Sequence, residues 1–347
     1  MPLFSIYSQT LWDPADSNWN DDFNWTGVEP DAGTNAIIQT GFTPYPILTS
    51  NGSTLDLELE NGTSVDVDAF TLNIFGNLFF SGATGTLTNS DAANGLVTID
   101  GNANFTNGGY AKGGVFRFDR GGAQNLTSAG VDLGDVEVST AGTDVQLQDD
   151  GDFDSVTIDL NSTLTTGANS VTATSVTANG TFDATSQPGT ESTSVTGDVI
   201  VDGAFDLNAG NGDIDGSVTG TGDFTASSGT TFVGGDFTVS GAYGNNGGTM
   251  VFDTTAGSTV DGYNFNDVTV SADTIMGGNW IVGGALDVNA NLDTNGNGLD
   301  VTTNVTGTGT LTGDTGTINV SGNVSVATFA GGAGAVDIGG DVTSGTF

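Results

Sequence analysis

The feature that most constrains the fold is how short the apolar runs are. They alternate with polar residues, as in Leu55-Asp56-Leu57-Glu58-Leu59, Val65-Asp66-Val67, Leu72-Asn73-Ile74, Val97-Thr98-Ile99, Val199-Ile200-Val201 and Phe237-Thr238-Val239. Alternation with a period of two marks half-buried strands. Each run lasts about three to five residues, the short end for strands. Asn-Gly, Gly-Gly, Gly-Asp and Asn-Ser turns stand between them. Strands this short cannot stabilise separate hairpins. Stacked as rungs they share one core, which is the logic of a β-solenoid. No segment keeps apolar residues at i, i+3, i+4 and i+7 for three turns without a glycine or Asn-Gly interruption, so helices are not expected.

An internal repeat points the same way. Gly113-Gly114-Val115-Phe116-Arg117-Phe118-Asp119 returns as Gly247-Gly248-Thr249-Met250-Val251-Phe252-Asp253, and Asp135-Val136-Glu137-Val138 returns as Asp267-Val268-Thr269-Val270. The second pair is set slightly closer together in the chain than the first. Stacked coils tolerate such drift because gains and losses fall in turns. The copies cover residues 113–190 and 247–315, and a coil of about 20 residues gives on the order of 15 coils. The fold class is therefore all-β: a parallel β-helix or β-solenoid over residues 51–347.

Residues 10–50 differ. They hold three of the four tryptophans (Trp12, Trp19, Trp25) and four of the six prolines. A first coil must cover an edge that would otherwise template strand addition, and a bulky, proline-punctuated segment suits that task. This segment is expected to be an N-terminal cap.

Composition excludes several kinds of chemistry. The 347 residues carry 42 acidic and 3 basic side chains, a net charge of -39, with no histidine and no cysteine. Disulfides, zinc fingers, thiol nucleophiles and Ser-His-Asp systems are ruled out. Nucleic acid is not expected as a partner, because phosphate binding needs a basic surface. No apolar stretch is long enough for a membrane-spanning helix, which takes about 18 residues or more, so no such span is expected. Of the acids, 37 are aspartates, the turn-former of the pair.

The spacing of Trp12, Trp19 and Trp25-x-Gly27-x-x-Pro30, followed by Asn35-Ala36-Ile37-Ile38 and Pro44-Tyr45-Pro46-Ile47-Leu48, resembles the entry module of large secreted surface proteins of the Bacteroidota. Many of those proteins are type IX secretion substrates. The later Gly-Gly-x-x-x-Phe-Asp and Asp-Val-x-Val patterns are similar to their filamentous-haemagglutinin-like β-helical repeats. Residues 1–9 read either as a first strand or as the remnant of an export signal, similar to the Phe-Ser-x-x-Ser-Gln endings in that phylum. The resemblance covers nearly the whole chain and implies an extracellular or cell-surface location. It implies no activity. The C-terminal sorting domain usual in such proteins is not visible, so either the pattern continues in a longer protein or the open end is used.

Candidate sites follow from clustering. Asp293-x-Asn295-x-Asn297-Gly298 fits the first half of a calcium loop, and Asp300 extends it toward a β-roll nonapeptide. The twelfth position is Asn304, so the bidentate glutamate is missing. Asp149, Asp150, Asp152 and Asp154 form a second acidic cluster. Calcium is the cofactor these patterns suggest, though none is required; the alternative is solvated turns. Lys112, Arg117 and Arg120 are the only cations. Either they pair with Asp119 and neighbouring turns, or one serves as proton acceptor in a polysaccharide-degrading β-helix. Tyr110, Tyr243, Tyr263 and Trp280 either stack on sugars or pack within the coils. For self-assembly by strand stacking, the expected surfaces are Trp12, Trp19 and Trp25 at one end and Val336, Ile338 and Val342 at the other. The function expected is a non-enzymatic extracellular stalk, adhesin segment or filament subunit, with itself or a surface polysaccharide as partner. The alternative is a calcium-dependent carbohydrate-binding or polysaccharide-degrading β-helix.

Overall fold

The computed structural model describes residues 8–189, 191–253 and 257–346. It is an all-β chain, 1% helical, whose parallel strands form a β-solenoid of about 16 turns. The chain divides into two compact units, Met1–Ala173 and Thr174–Phe347.

The second unit contains the more regular coils. Val199 lies beside Val218, and Val218 beside Phe237, so the chain advances by the same step at each coil. One coil comprises Val199–Val201, Ala204–Asp206 and Asn211–Ile214, joined by tight turns. Alternation decides which side chains face in. Val199, Val201, Phe205 and Ile214 are fully buried, whereas Ile200 between the two valines is exposed. Because the rungs are in register, identical residues stack. Phe182, Phe205 and Phe224 are ladder partners. Their ring centroids are 4.5 and 5.6 Å apart, with interplanar angles of 10° and 3°. Burying each ring contributes about 2–3 kcal/mol, and each stacked pair adds about 0.5–1.5 kcal/mol.

Turns stack as closely as strands. Gly216 sits over Gly197 so tightly that a Cβ there would lie 2.4 Å from the Gly197 carbonyl group. Only glycine lets the two turn backbones approach this far.

Coils in the first unit are less even. The ladder takes a shorter step from Leu57 to Leu78 than from Leu78 to Ala103. Strand register is kept while turns absorb the difference. Val115–Phe118 and Thr249–Phe252, which carry the two Gly-Gly-x-x-x-Phe-Asp copies, have Asp135–Val138 and Asp267–Val270 as their next rungs.

In the tryptophan-rich segment, Ser8–Leu11 pairs in parallel with Thr34–Ile38. Residues 1–7, where most of the export-signal reading falls, lie outside the described residues. Trp25 packs edge-on between Trp12 and Trp19, both centroids 4.9 Å away. The Trp12 indole N–H donates to the Pro44 carbonyl at 2.9 Å, and that of Trp25 to the Trp19 carbonyl at 2.8 Å. Asn24, next to Trp25 in the chain, is fully buried. Its Oδ1 accepts from the Ala15 and Asp16 amides, and its Nδ2 donates to the Asp16 carboxylate and the Asn18 carbonyl. One side chain thereby closes the whole turn.

Candidate functional site

The turn aspartates and asparagines do more than bend the chain. Their side-chain oxygens accept hydrogen bonds from backbone amides one coil further on. In the second unit, the Ser217 amide donates to Asp198 Oδ1 at 2.8 Å, Asp236 N–H to Ser217 Oγ at 3.1 Å, and Thr259 N–H to Asp236 Oδ1 at 2.7 Å. In the first unit, Asn77 N–H donates to Asp56 Oδ1, Asn102 N–H to Asn77 Oδ1 and Asn125 N–H to Asn102 Oδ1, at 2.7, 3.0 and 2.8 Å. Turns expose backbone donors that would otherwise have only water, so each clamp ties two coils at their corner. The sites expected from sequence do not include these clamps. Their signal is a glycine, then Asp, Asn or Ser, then an apolar residue, recurring at the coil period: Gly197-Asp198-Val199, Gly216-Ser217-Val218, Gly235-Asp236-Phe237.

All but one of the residues expected to bind calcium make side-chain hydrogen bonds or ion pairs, within a turn or to a neighbouring coil. Asp293 Oδ1 accepts from the Asn295 amide at 2.8 Å, closing the turn on itself. Asn297 Nδ2 donates to the Met276 carbonyl at 2.8 Å, and Asn295 Nδ2 approaches the same oxygen at 3.5 Å. Asp300 lies on the strand Leu299–Val301 and accepts from Asn319 Nδ2 at 3.1 Å. The structure thus brings Asn295 and Asn297 together over Met276 and places Asp300 on a different rung contact. In the other cluster, Asp149 accepts from the Ser128 and Ala129 amides, both at 2.7 Å, and Asp150 from the Ser170 amide at 2.9 Å. Asp154 holds Lys112 at 2.7 Å, and the Asp152 side chain is exposed. Among the described residues, no group of three or more acidic side chains is arranged to hold a metal ion.

The cations also bridge coils. Lys112 Nζ lies between Asp132 and Asp154, and these two carboxylates hold its pKa well above the ordinary lysine range. Arg117 pairs with Glu137 at 2.7 Å, and Arg120 donates to the Asp100 carbonyl at 3.5 Å. Asp119, the partner expected from sequence, instead accepts from the Thr140 hydroxyl, because the register puts Glu137 beside Arg117.

Of the residues expected at the ends, the three tryptophan rings are buried, Trp12 and Trp19 completely, and pack on one another. They hold their own segment together. Val336 and Val342 are 41% and 39% exposed, and Ile338 is half-buried. Their strands pair with Ile318–Val320 and Val324–Ala330.

One interruption in the ladders makes a groove. In the second unit, one ladder runs through Phe224 to Tyr243–Gly244, and another starts at Asn264–Phe265 and continues to Trp280–Val282. At this seam the coil lengthens, with Phe237 paired to Val260, and the next coil shortens, with Val260 paired to Met276. The result is a groove of about 620 Å³ bounded by Tyr243, Asp261, Tyr263, Asn264 and Asn279, with Gly241, Gly262, Gly277 and Gly278 along its walls. Tyr263 and Trp280 are buried, and Tyr243 is half-buried against Phe237 and Phe265. Tyr110 is likewise buried, against Phe105 and Phe116. The four rings expected either to stack on sugars or to pack therefore pack. The Tyr243 hydroxyl oxygen is buried with no hydrogen-bond partner. Burial, together with the neighbouring Tyr263, raises its pKa, so the phenol stays a neutral O–H donor.

Comparison of the chain with protein-family models, with curated proteins and with solved structures finds no match. Among the described residues, no helix is long and apolar enough to cross a membrane.

Proposed function

We propose that this chain is a non-enzymatic, extracellular structural or adhesive β-solenoid, working as a stalk, adhesin segment or filament subunit. The observation that carries this reading is where the polar groups go. Lys112, Arg117, Asp149, Asp150, Asp198 and Asp236 are each bonded to a neighbouring coil. Side chains bonded in this way resist separation of the coils. The proposed cell-surface location rests on the resemblance of the tryptophan spacing and repeats to Bacteroidota surface proteins, and an acidic, cysteine-free chain suits it.

The exposed Val336 and Val342 support growth of the ladder beyond the last described coil, into further coils or onto a second copy. Calcium enters this proposal as a counterion for the -39 charge, since like charge along stacked turns repels unless it is screened.

Negative-stain microscopy and sedimentation with and without calcium test the proposal. Particles that lengthen end to end support the filament form, and monodisperse particles in both conditions overturn it. Turnover on any of a panel of polysaccharides would overturn the non-enzymatic reading.

A further inference from the structure

We propose that the seam in the second unit is a binding groove for a neutral saccharide chain. The proposal rests on the adhesive reading and gives it a ligand class.

The groove does not end at the seam. Asn279 also bounds a second hollow of about 300 Å³ that continues past Ile281 and Asp300 to Asn319. Asn264, Ile281, Asp300 and Asn319 are successive ladder partners, so these side chains recur once per rung along the groove. Rungs are about 4.8 Å apart, close to the length of one sugar ring. Asn264, Asp300 and Asn319 present polar side chains on three of these four rungs, and the exposed Ile281 an apolar one. This suits a ligand that presents both hydroxyls and apolar ring faces at a similar interval.

The polar groups match hydroxyls. Asn264 and Asn279 are exposed. Asn279 accepts from the Gly298 amide through Oδ1 at 2.7 Å, which leaves its NH₂ to donate. Asp261 supplies a carboxylate acceptor, and the Tyr243 hydroxyl, buried behind the groove wall without a partner, is reached once that wall shifts to admit a ligand. A sugar hydroxyl both donates and accepts and can satisfy each of these groups. The wall glycines keep the groove open to a ring-sized ligand.

Charge narrows the class further. Residues 174–347 contain no lysine and no arginine, so nothing in this unit can neutralise a uronate, sulfate or phosphate. Acidic polysaccharides and nucleic acids are repelled. A cationic peptide would need converging carboxylates, whereas the groove offers mainly amides, hydroxyls and backbone.

The test is calorimetric titration of the intact protein with tetra- to hexasaccharides of neutral glucan, xylan and mannan. Polygalacturonate and a lysine-rich peptide serve as controls. At least one neutral oligosaccharide should bind, with affinity unchanged between low and high salt. Tyr243→Phe removes a hydroxyl that no protein group uses, so it should leave the melting temperature unchanged or raised and weaken binding several-fold. Asn264→Ala combined with Asn279→Asp, which keeps the acceptor for Gly298, should weaken binding about tenfold or more. If neutral sugars bind equally well to all these variants, the groove proposal fails and the adhesive reading stands. If no neutral sugar binds while the protein still adheres to cells, the ligand class is wrong. If it binds no sugar and adheres to nothing, the adhesive reading fails as well. Salt-sensitive preference for the lysine-rich peptide would replace the glycan with a cationic partner.

Discussion

Tyr263 takes the place of a missing strand at Val239. Its hydroxyl accepts a hydrogen bond from the Val239 amide at 2.7 Å and donates one to the Val239 carbonyl at 2.8 Å. At the seam, the strand Phe237–Val239 pairs with the next rung only through Phe237 and Val260, so Val239, paired with Gly220 on the preceding rung, has no strand neighbour for its backbone groups on the side of the next coil. A phenol is both donor and acceptor and can close the two together.

Tyr263→Phe should therefore destabilise the second unit by about 2–4 kcal/mol, because it leaves an amide and a carbonyl unpaired at a buried residue. The ring would still pack on Phe237, 5.0 Å away, so loss of apolar contact cannot explain the effect. Chemical denaturation measures it. A change below about 0.5 kcal/mol would show that the hydroxyl is not holding the seam. Burial also raises the Tyr263 pKa to about 12. Its contribution is complete below the unfolded tyrosine range near pH 10 and is lost as pH rises from there through about 12.

The stacked rings give a second prediction. Phe205→Ala removes a ring lying 4.5 Å from Phe182 and 5.6 Å from Phe224, at a fully buried position. The expected loss is about 3–5 kcal/mol. In a stacked-coil protein that loss is local. Hydrogen exchange should accelerate in the coils carrying Phe182 and Phe224, while the coils around Leu57 and Leu78 keep their protection. Uniform acceleration along the chain would show one cooperative unit instead.

Much of the fold was legible because a strand writes its facing into the sequence at period two. Val199-Ile200-Val201 reads as in, out, in, and the structure buries both valines and exposes the isoleucine. The coil length was also readable, since Gly-Asp and Gly-Ser recur at an even interval at Gly197, Gly216 and Gly235. What could not be read was the partner of each polar side chain. Arg117 lies close in sequence to Asp119, yet the ladder sets it beside Glu137, a neighbour defined only once register is known. The seam was hidden for the same reason. A long coil from Phe237 to Val260 followed by a short one to Met276 averages to an ordinary spacing, and only the pairing shows the slip.

Gly216 should be the least replaceable kind of turn residue. With a Cβ position 2.4 Å from the Gly197 carbonyl, Gly216→Ala must push two stacked turns apart and disturb the bond from the Ser217 amide to Asp198. A loss of about 2 kcal/mol or more is expected. Gly247, whose Cβ would meet nothing within 4 Å but whose φ is +77°, separates the two causes. Gly247→Ala should cost only about 1 kcal/mol, from backbone strain alone. Equal losses at the two positions would rule out turn-on-turn packing as the reason for glycine at Gly216.

The acidic skin gives an unusual pH profile. Burial raises the pKa of Asp100, Asp206, Asp213 and Asp253 above the ordinary 3.8, with Asp119, Asp183, Asp215 and Asp213, respectively, adding to the shift as neighbouring carboxylates. Between the ordinary and the raised values the folded chain binds more protons than the unfolded chain, so stability rises as pH falls toward that window. Relief of the -39 charge acts in the same direction. Asp16 and Asp31 oppose it. The amides of Asn18 and Gly33, followed by Asn24 and Thr34, lower their pKa below 3.8, so the stability they contribute is lost as pH falls below that value. The melting temperature should climb from pH 7 to a maximum at mildly acid pH, then drop as these two turns in the tryptophan-rich segment protonate. Asp206→Asn with Asp213→Asn mimics protonation at two of these four sites and should flatten the climb without moving the acid drop. A melting temperature that falls steadily from neutral pH would mean that these four carboxylates are favourably solvated in their charged form.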